Sequence, residues 1–301
     1  MLISPAQAPA QLPPPMGTLD TMDRLTVLLL ATCVVLMGCG GETAETVASP
    51  NETAPSSQDA GPPASAPPAT PAPNQDDQPS TNCTTSDGTE VNIDTVDGET
   101  LAATWYQVNE KPQGTAVLLH MIPPGNTRAN YPSEFIDALN QRCLNVLNVD
   151  RRGAGGSSGD PVAAYTGPNG VHDAEAAVAF ASSRDSEFSG ERLVLVGASN
   201  GSTTVLDYVA QGNTVAAVAL LSPGTYTENQ QRVLGSGLES VPTLFAFPDS
   251  EADWSLAFES SGGENWVWRQ YDGGRHGTGL FASHPESITE TADFLAGVLA
   301  K

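Results

Sequence analysis

Ser199 is the residue whose surroundings most clearly indicate chemistry in this sequence. It lies at the centre of Gly197-Ala198-Ser199-Asn200-Gly201, between the apolar run of residues 192–196 and a helical pattern that begins at Gly201. A Gly-X-Ser-X-Gly turn between a buried strand and a helix exposes the serine hydroxyl as a nucleophile, and so sharp a turn requires small residues on both sides. The sequence therefore predicts a nucleophilic serine at position 199.

A hydroxyl is a weak nucleophile at neutral pH, so Ser199 needs a base within hydrogen-bond reach and an acid that orients the base. His276 is the best candidate base, because it follows the last predicted strand in the glycine-rich loop 273–278, which could carry it over the sheet. Structural positions are predicted for the remaining histidines, His120, His172 and His284.

The elements that would position these residues alternate regularly along the chain. Strands are predicted at 90–96, 100–108, 115–120, 144–149, 192–196, 215–221, 243–247 and 265–271, and helices at 133–141, 170–183, 201–211, 254–260 and 285–300. Buried strands alternating with helices predict an α/β fold, with a mostly parallel sheet, an antiparallel N-terminal hairpin and helices on both faces. In such a sheet a ligand site forms beyond the carboxyl ends of the strands. The connection 223–241 is short and polar, so we expect no large cap domain and an open, shallow site.

Four segments resemble, in the expected order, the motifs of the α/β-hydrolase superfamily. They are the strand and oxyanion loop at 117–125, the Asp-X-Arg-Gly-X-Gly-X-Ser loop at 149–157, the turn at 197–201 and the histidine loop at 273–278. Met121 stands where members usually have glycine. The resemblance covers residues from about 89 to the C-terminus and implies a lidless serine hydrolase of the esterase type.

The implied reaction is cleavage of a carboxylic ester through an acyl-enzyme on Ser199, with His276 as general base and then acid. The resemblance also implies an oxyanion hole, made by the backbone N–H of Asn200 and by that of Met121 or Ile122. The same residues could serve a peptidase or amidase. A fold of this kind could also be a non-catalytic ligand-binding module.

The acid is expected in the loop after strand 243–247, which offers Asp249, Glu251 and Asp253. Counting from the strand end favours Glu251. The ending Ser-Glu-Ala-Asp just before a helix resembles the superfamily's Glu-Gly-Asp with two residues inserted, which favours Asp253. Asp253 is therefore the first choice and Glu251 the alternative, and a surface or helix-capping role is expected for the others.

Residues 1–38 are predicted to be a secretory signal, because Arg24 precedes the short apolar run 25–37. The segment Leu36-Met37-Gly38-Cys39 resembles a bacterial lipobox, which implies cleavage before Cys39 and lipidation of that residue. The protein would then be anchored in the cell envelope, outside the cytoplasm. Met22 offers an alternative start, which would make residues 1–21 an annotation artefact or an extension.

Residues 39–81 are rich in Pro, Ala, Ser and Thr and are predicted to be a disordered tether, leaving residues 82–301 as the catalytic domain. Once the signal and Cys39 are set aside, Cys83 and Cys143 form an even pair that predicts a disulfide in an oxidising compartment. Neither cysteine has neighbours typical of a metal site, so no metal is expected.

The formal net charge of −23, from 12 basic and 35 acidic residues, disfavours binding to nucleic acid or to anionic membrane surfaces. We therefore expect a small-molecule ester as the partner, no cofactor, and membrane contact only through the lipid anchor.

Overall fold

A single eight-stranded sheet organises the computed structural model, which describes residues 83–85, 87–166, 168–184, 187–226, 237–260 and 262–301. These residues belong to one compact unit, Ala72–Lys301. The predicted signal, the lipidation site at Cys39 and the tether 39–81 lie outside the described residues.

The strands are β1 (Thr89–Asp94), β2 (Thr100–Tyr106), β3 (Gly114–Leu119), β4 (Leu144–Val149), β5 (Leu193–Ala198), β6 (Ala217–Leu221), β7 (Thr243–Pro248) and β8 (Trp266–Tyr271). Their order across the sheet is β1-β2-β4-β3-β5-β6-β7-β8. β1 pairs antiparallel with β2, and β2 pairs antiparallel with β4. The other neighbours are parallel. The prediction of a mostly parallel sheet that begins with an antiparallel hairpin is confirmed.

The helices are α1 (Ser133–Gln141), α2 (Gly170–Arg184), α3 (Gly201–Ala210), α4 (Ala252–Leu256), α5 (Leu280–Ser283) and α6 (Glu286–Leu299). The helix expected at 254–260 thus begins earlier and is only five residues long. No helix among the described residues is both long and apolar enough to cross a membrane.

Alternate side chains of the central strands bury against helices on opposite faces of the sheet. In β5, Leu193 and Leu195 join the cluster that contains the buried residues of α2 and α3. Val194 and Val196 join the cluster that contains those of α1 and α6. Strand side chains alternate with a period of two, so a strand that is apolar throughout must be covered on both faces. This packing holds the carboxyl ends of the parallel strands at one level.

Cys83 and Cys143 are joined by a disulfide, with their Cα atoms 5.1 Å apart. Cys143 immediately precedes β4, so the bond ties the first described segment to the amino-terminal end of a central strand. This end of the sheet is opposite to the one where parallel strands place a functional site.

Candidate active site

Ser199 occupies the turn between β5 and α3 with a backbone φ of 50°. This left-handed conformation is uncommon for a residue with a side chain, and such strain concentrates at functional sites. The backbone N–H of Ser199 donates to the carbonyl oxygen of Leu221 at 2.7 Å, and that of Ser202 donates to the carbonyl of Ser199 at 2.9 Å. A methyl group on Gly201 would lie 2.3 Å from the carbonyl oxygen of Leu119, which explains the need for glycine there.

His276 and Glu251 form a hydrogen-bonded pair beyond the ends of β7 and β8. Nδ1 of His276 lies 2.7 Å from Oε1 of Glu251, and the two side chains are 41% and 28% exposed. A carboxylate can only accept at this contact, so Nδ1 carries the hydrogen and Nε2 of a neutral ring is free to take a proton. The pair therefore has the arrangement of a base oriented by an acid.

Gly277 brings the histidine loop against the nucleophile. Its φ is +59°, and a methyl group on its α-carbon would lie 2.4 Å from Sδ of Met121 and 3.8 Å from Cβ of Ser199. Only glycine combines this backbone conformation with so close an approach. The N–H of Gly277 donates to Oγ of Ser222 at 2.8 Å, which fixes the loop to the end of β6. His276 is thereby held beside Ser199.

The residues predicted to form the oxyanion hole lie around the same turn. Asn200 is 1% exposed and immediately precedes α3, where the N–H groups of the helix start and the helix dipole favour a negative charge. Within the described residues, no acceptor binds the backbone N–H of Asn200 or of Met121. Ile122 is 42% exposed, and its carbonyl accepts from Nδ2 of Asn126 at 2.8 Å. The N–H of Ile122 likewise has no acceptor among the described residues, so Met121 and Ile122 both remain candidates for the second donor beside Asn200.

Arg151 is fully buried and ties both sides of this turn together. Its Nη1 donates to Oδ1 of Asn200 at 2.9 Å and to the carbonyl of His120 at 3.3 Å, and Nη2 donates to Oγ1 of Thr204 at 2.9 Å and to the carbonyl of Ala164 at 2.7 Å. Burial lowers the pKa of Arg151 to about 10, which leaves the guanidinium charged at neutral pH. A buried cation therefore lies directly behind the two predicted oxyanion donors.

His120 is also fully buried, and its role is structural. Nε2 accepts the backbone N–H of Arg151 at 2.9 Å, so Nδ1 carries the hydrogen and donates to the carbonyl of Met121 at 2.7 Å. Burial, and secondly the charge of Arg151, lowers the pKa of His120 to about 3. The ring is neutral at neutral pH and braces the oxyanion loop.

Tyr226 is a further residue beside the proposed catalytic histidine. Its hydroxyl donates to the carbonyl of Ser222 at 2.7 Å, and its ring meets that of His276 edge-on with centroids 5.8 Å apart. Burial and the charge of Glu251 raise its pKa, while a hydrogen bond with Ser199 acts in the opposite direction. The available signal was its position, five residues after β6 at the carboxyl end of the sheet.

The expectation of an open, shallow site is wrong for the nucleophile itself. Ser199 is 5% exposed, forms a hydrogen bond with Tyr226, and has Gly277 close to its side chain. A cavity of about 790 Å³ has Met121 and His276 in its wall, but Ser199 is not among the residues that line it. No group of three or more His, Cys, Asp or Glu side chains in the described part of the chain is arranged to hold a metal ion.

The sequence of residues 110–271, more than half of the chain, matches the family described as serine aminopeptidase, S33 (Hydrolase_4). The chain belongs to this family. It is a hydrolase of the α/β-hydrolase fold. No curated protein sequence matches it.

Solved structures support the fold of this S33 family member. An esterase from Pyrococcus furiosus has a TM-score of 0.54 at 19% identity, covering 69% of this chain and 92% of its own. An esterase from Rhodococcus sp. has a TM-score of 0.53 at 17% identity, covering 69% and 99%. An alpha/beta hydrolase from Penicillium sp. has a TM-score of 0.56 at 14% identity, covering 71% and 99%. At these identities the likeness concerns the fold alone.

Among the predicted residues of this S33 member, the structure brings Ser199, His276 and Glu251 together and leaves Asp253 apart. Asp253, the first choice of acid from the sequence, is exposed in the first turn of α4. Glu251 ends the preceding 3₁₀ turn and points to His276. Asp249 accepts the N–H of Gly273 at 2.9 Å and so braces the base of the histidine loop. The ranking of Asp253 above Glu251 is therefore corrected.

Proposed function

We propose that this hydrolase cleaves carboxylic esters through an acyl-enzyme on Ser199, with His276 as general base and Glu251 as the orienting acid. The observation that carries the proposal is the His276–Glu251 hydrogen bond of 2.7 Å, on a loop that Gly277 holds against Ser199. A strained serine, an oriented imidazole and unpaired backbone donors at one strand edge are the parts that acyl transfer needs.

In this mechanism Oγ of Ser199 attacks the substrate carbonyl carbon while its proton passes to Nε2 of His276. The resulting oxyanion is received by the backbone N–H of Asn200 and by that of Met121 or Ile122, with the charge of Arg151 behind them. Collapse of the tetrahedral intermediate breaks the ester bond, and the departing alcohol takes the proton from His276. Water then attacks the acyl-enzyme by the same route and releases the acid and Ser199.

A fluorophosphonate probe on the purified protein tests the nucleophile, with Ser199→Ala as the matched variant. We expect covalent labelling of the wild type and none of the variant, together with loss of p-nitrophenyl ester hydrolysis. If the wild-type protein is folded but is neither labelled nor active, the serine hydrolase proposal is refuted and a non-catalytic binding module is favoured. Labelling retained in Ser199→Ala would assign the nucleophile to another residue.

A peptidase or amidase is the second candidate, because the matched family is described as serine aminopeptidase. The ester proposal is supported by the similar folds of the esterases from Pyrococcus and Rhodococcus. Both reactions use the same acyl-enzyme, but an amine leaving group depends more strongly on protonation by His276. Turnover of p-nitrophenyl esters of increasing chain length beside aminoacyl p-nitroanilides separates the two. Efficient anilide cleavage without ester cleavage would overturn the ester assignment.

We also propose that Cys39 is lipidated and that the enzyme works outside the cytoplasm, anchored to a membrane by residues 39–81. The lipobox-like segment before Cys39 supports this location, and the disulfide Cys83–Cys143 suits an oxidising compartment. Expression of the full chain with radiolabelled palmitate should label the wild type and not Cys39→Ala. Soluble, unlabelled wild-type protein in a bacterium that processes lipoproteins would contradict the proposal.

A further inference from the structure

The cavity beside the active site has an apolar body that includes Phe281 and Ile288. Its volume of about 790 Å³ is within the range of pockets that hold small molecules. Because Met121 and His276 form part of the wall, a substrate group that enters this cavity lies beside two residues of the proposed site. The charged residues of this wall can therefore determine which substrates bind.

Arg275 is the cation of this wall and immediately precedes the proposed base. Its backbone N–H donates to Oγ of Ser283 at 3.0 Å, which fixes the position of its main chain. Its guanidinium has no hydrogen bond, ion pair or ring contact within the described residues.

The other arginines that the structure describes all have side-chain partners, namely Arg128, Arg142, Arg151, Arg152, Arg184, Arg192 and Arg269. The chain has 35 acidic residues against 12 basic ones, so carboxylates to pair with are abundant. An arginine left without one at the mouth of the active site is an unused bidentate donor.

Glu134, near the start of α1, is the anion of the same wall. Its carboxylate accepts from Oγ of Ser133 at 3.3 Å and forms no ion pair with Arg275 within 4 Å. A net charge of −23 already attracts cations to the whole surface, so a lone glutamate adds little discrimination. Arg275 is therefore the side chain of this wall that can select a substrate by its charge, and Glu134 disfavours binding of the same anionic group.

We propose that Arg275 binds an anionic group of the substrate, so that the preferred substrates are esters that carry a carboxylate on an apolar body. The inference rests on the proposed function, since it assigns the substrate class of the same site. An Arg–carboxylate contact remote from the reacting bond acts in the ground state and the transition state alike. It therefore lowers KM for anionic esters and leaves kcat unchanged.

Two matched substrate pairs test the proposal from the acyl side and from the alcohol side. The first pair is the p-nitrophenyl monoester of suberic acid and the same compound with its free carboxylate methylated. The second pair is the butyrate ester of 4-hydroxybenzoic acid and that of its methyl ester, followed by pH-stat. We expect KM of the charged member to be about tenfold lower in at least one pair at low salt, the scale of one charge-assisted hydrogen-bonded contact. Added salt should weaken this preference.

Arg275→Gln should remove the preference, so that KM for the charged ester rises to that of the methylated ester, whereas Arg275→Lys should keep part of the preference. Glu134→Gln should have the opposite sign and lower KM for the charged ester. Lys111→Gln is the control. It removes an equal charge from the loop before β3, at the opposite end of the strands, and should leave KM unchanged for both the charged and the methylated ester.

Equal or higher KM for the charged member of both pairs in the wild type would overturn the inference. So would an unchanged preference in Arg275→Gln. Hydrolysis of the methylated esters shows in either case whether the proposed function itself stands, because those substrates need no contact with Arg275.

Discussion

Glu251 and Asp253 are two residues apart, and replacing each by its amide tests whether Glu251 is the catalytic carboxylate and Asp253 a surface one. Glu251→Gln keeps the size of the side chain but removes the charge that faces the imidazolium formed during acyl transfer. Asp253→Asn makes the same chemical change on the exposed first turn of α4. The two variants therefore control for each other.

The expected effect of Glu251→Gln can be worked out from the His276–Glu251 contact. Two unit charges about 4 Å apart attract by about 1 kcal/mol in bulk water and about 4 kcal/mol at the effective dielectric near a protein surface. The two side chains are 41% and 28% exposed, which places this pair between those limits. A loss of about 2–3 kcal/mol of transition-state stabilisation is a fall in kcat of about 30- to 200-fold.

Steady-state kinetics on a p-nitrophenyl ester provides the assay, with the rate of fluorophosphonate labelling as a second measurement that needs no turnover. KM should stay near the wild-type value in Glu251→Gln, because the lost attraction exists only when His276 is charged. Asp253→Asn should stay within about twofold of the wild type in kcat. An equal or larger loss in Asp253→Asn, with Tm unchanged in both variants, would refute the assignment of the acid.

Three further changes probe the scaffold. Arg151→Met leaves buried carbonyl groups without a donor. We expect the free energy of unfolding to fall by about 3 kcal/mol and Tm by about 6–12 °C, with kcat reduced in the folded fraction. An unchanged kcat would show that the cation does not support the oxyanion donors. Removing the disulfide in Cys83→Ser/Cys143→Ser opens a loop with a sequence separation of 60 and should cost about 4 kcal/mol, seen as a Tm lower by about 8–16 °C. Hydrogen bonding to Arg152 holds the pKa of Asp97 well below its ordinary value. The stability from this pair is therefore present above pH about 4 and lost as the pH falls further. The denaturant midpoint of Asp97→Asn should be lower than that of the wild type at pH 6, and the difference should narrow steadily below pH about 4 without closing by pH 2, because the pKa of Asp97 in the folded protein is so strongly lowered.

The fold was predictable because several strands and helices of the sequence independently indicate the same arrangement. Each central strand is apolar on both sides, and each is followed by a helical stretch, so a parallel sheet covered on both faces is the arrangement that buries them all. The antiparallel hairpin was also predictable, because Asp97-Gly98 between two alternating strands is a hairpin signal, and Gly98 adopts the positive φ, 93°, that such turns favour. What the pattern left open was the length of short helices such as α4, whose ends depend on tertiary contacts.

The burial of the nucleophile could not be read from the chain. The length of the connection between β6 and β7 led to the expectation of an open site. Ser199 is instead 5% exposed, with Tyr226 hydrogen-bonded to it and with Met121 packed against the neighbouring Gly277. Contacts of this kind join positions that are far apart along the chain, and no local pattern encodes them.

Resemblance to a motif favoured Asp253, whereas counting from the end of the strand favoured Glu251, the residue that the structure pairs with His276. β7 and β8 pair in parallel with Pro248 opposite Tyr271, so the acid loop and the histidine loop leave the sheet at the same level. Glu251 is three residues beyond that level and His276 is five beyond it, which lets both side chains reach the same space. Two more residues along a helical turn rotate a side chain by about 200°, so Asp253 is expected on another side of the turn from Glu251. The carboxylate that reaches His276 therefore follows from its distance to the last paired residue of its strand, which the strand pattern contains, and not from resemblance to a longer motif.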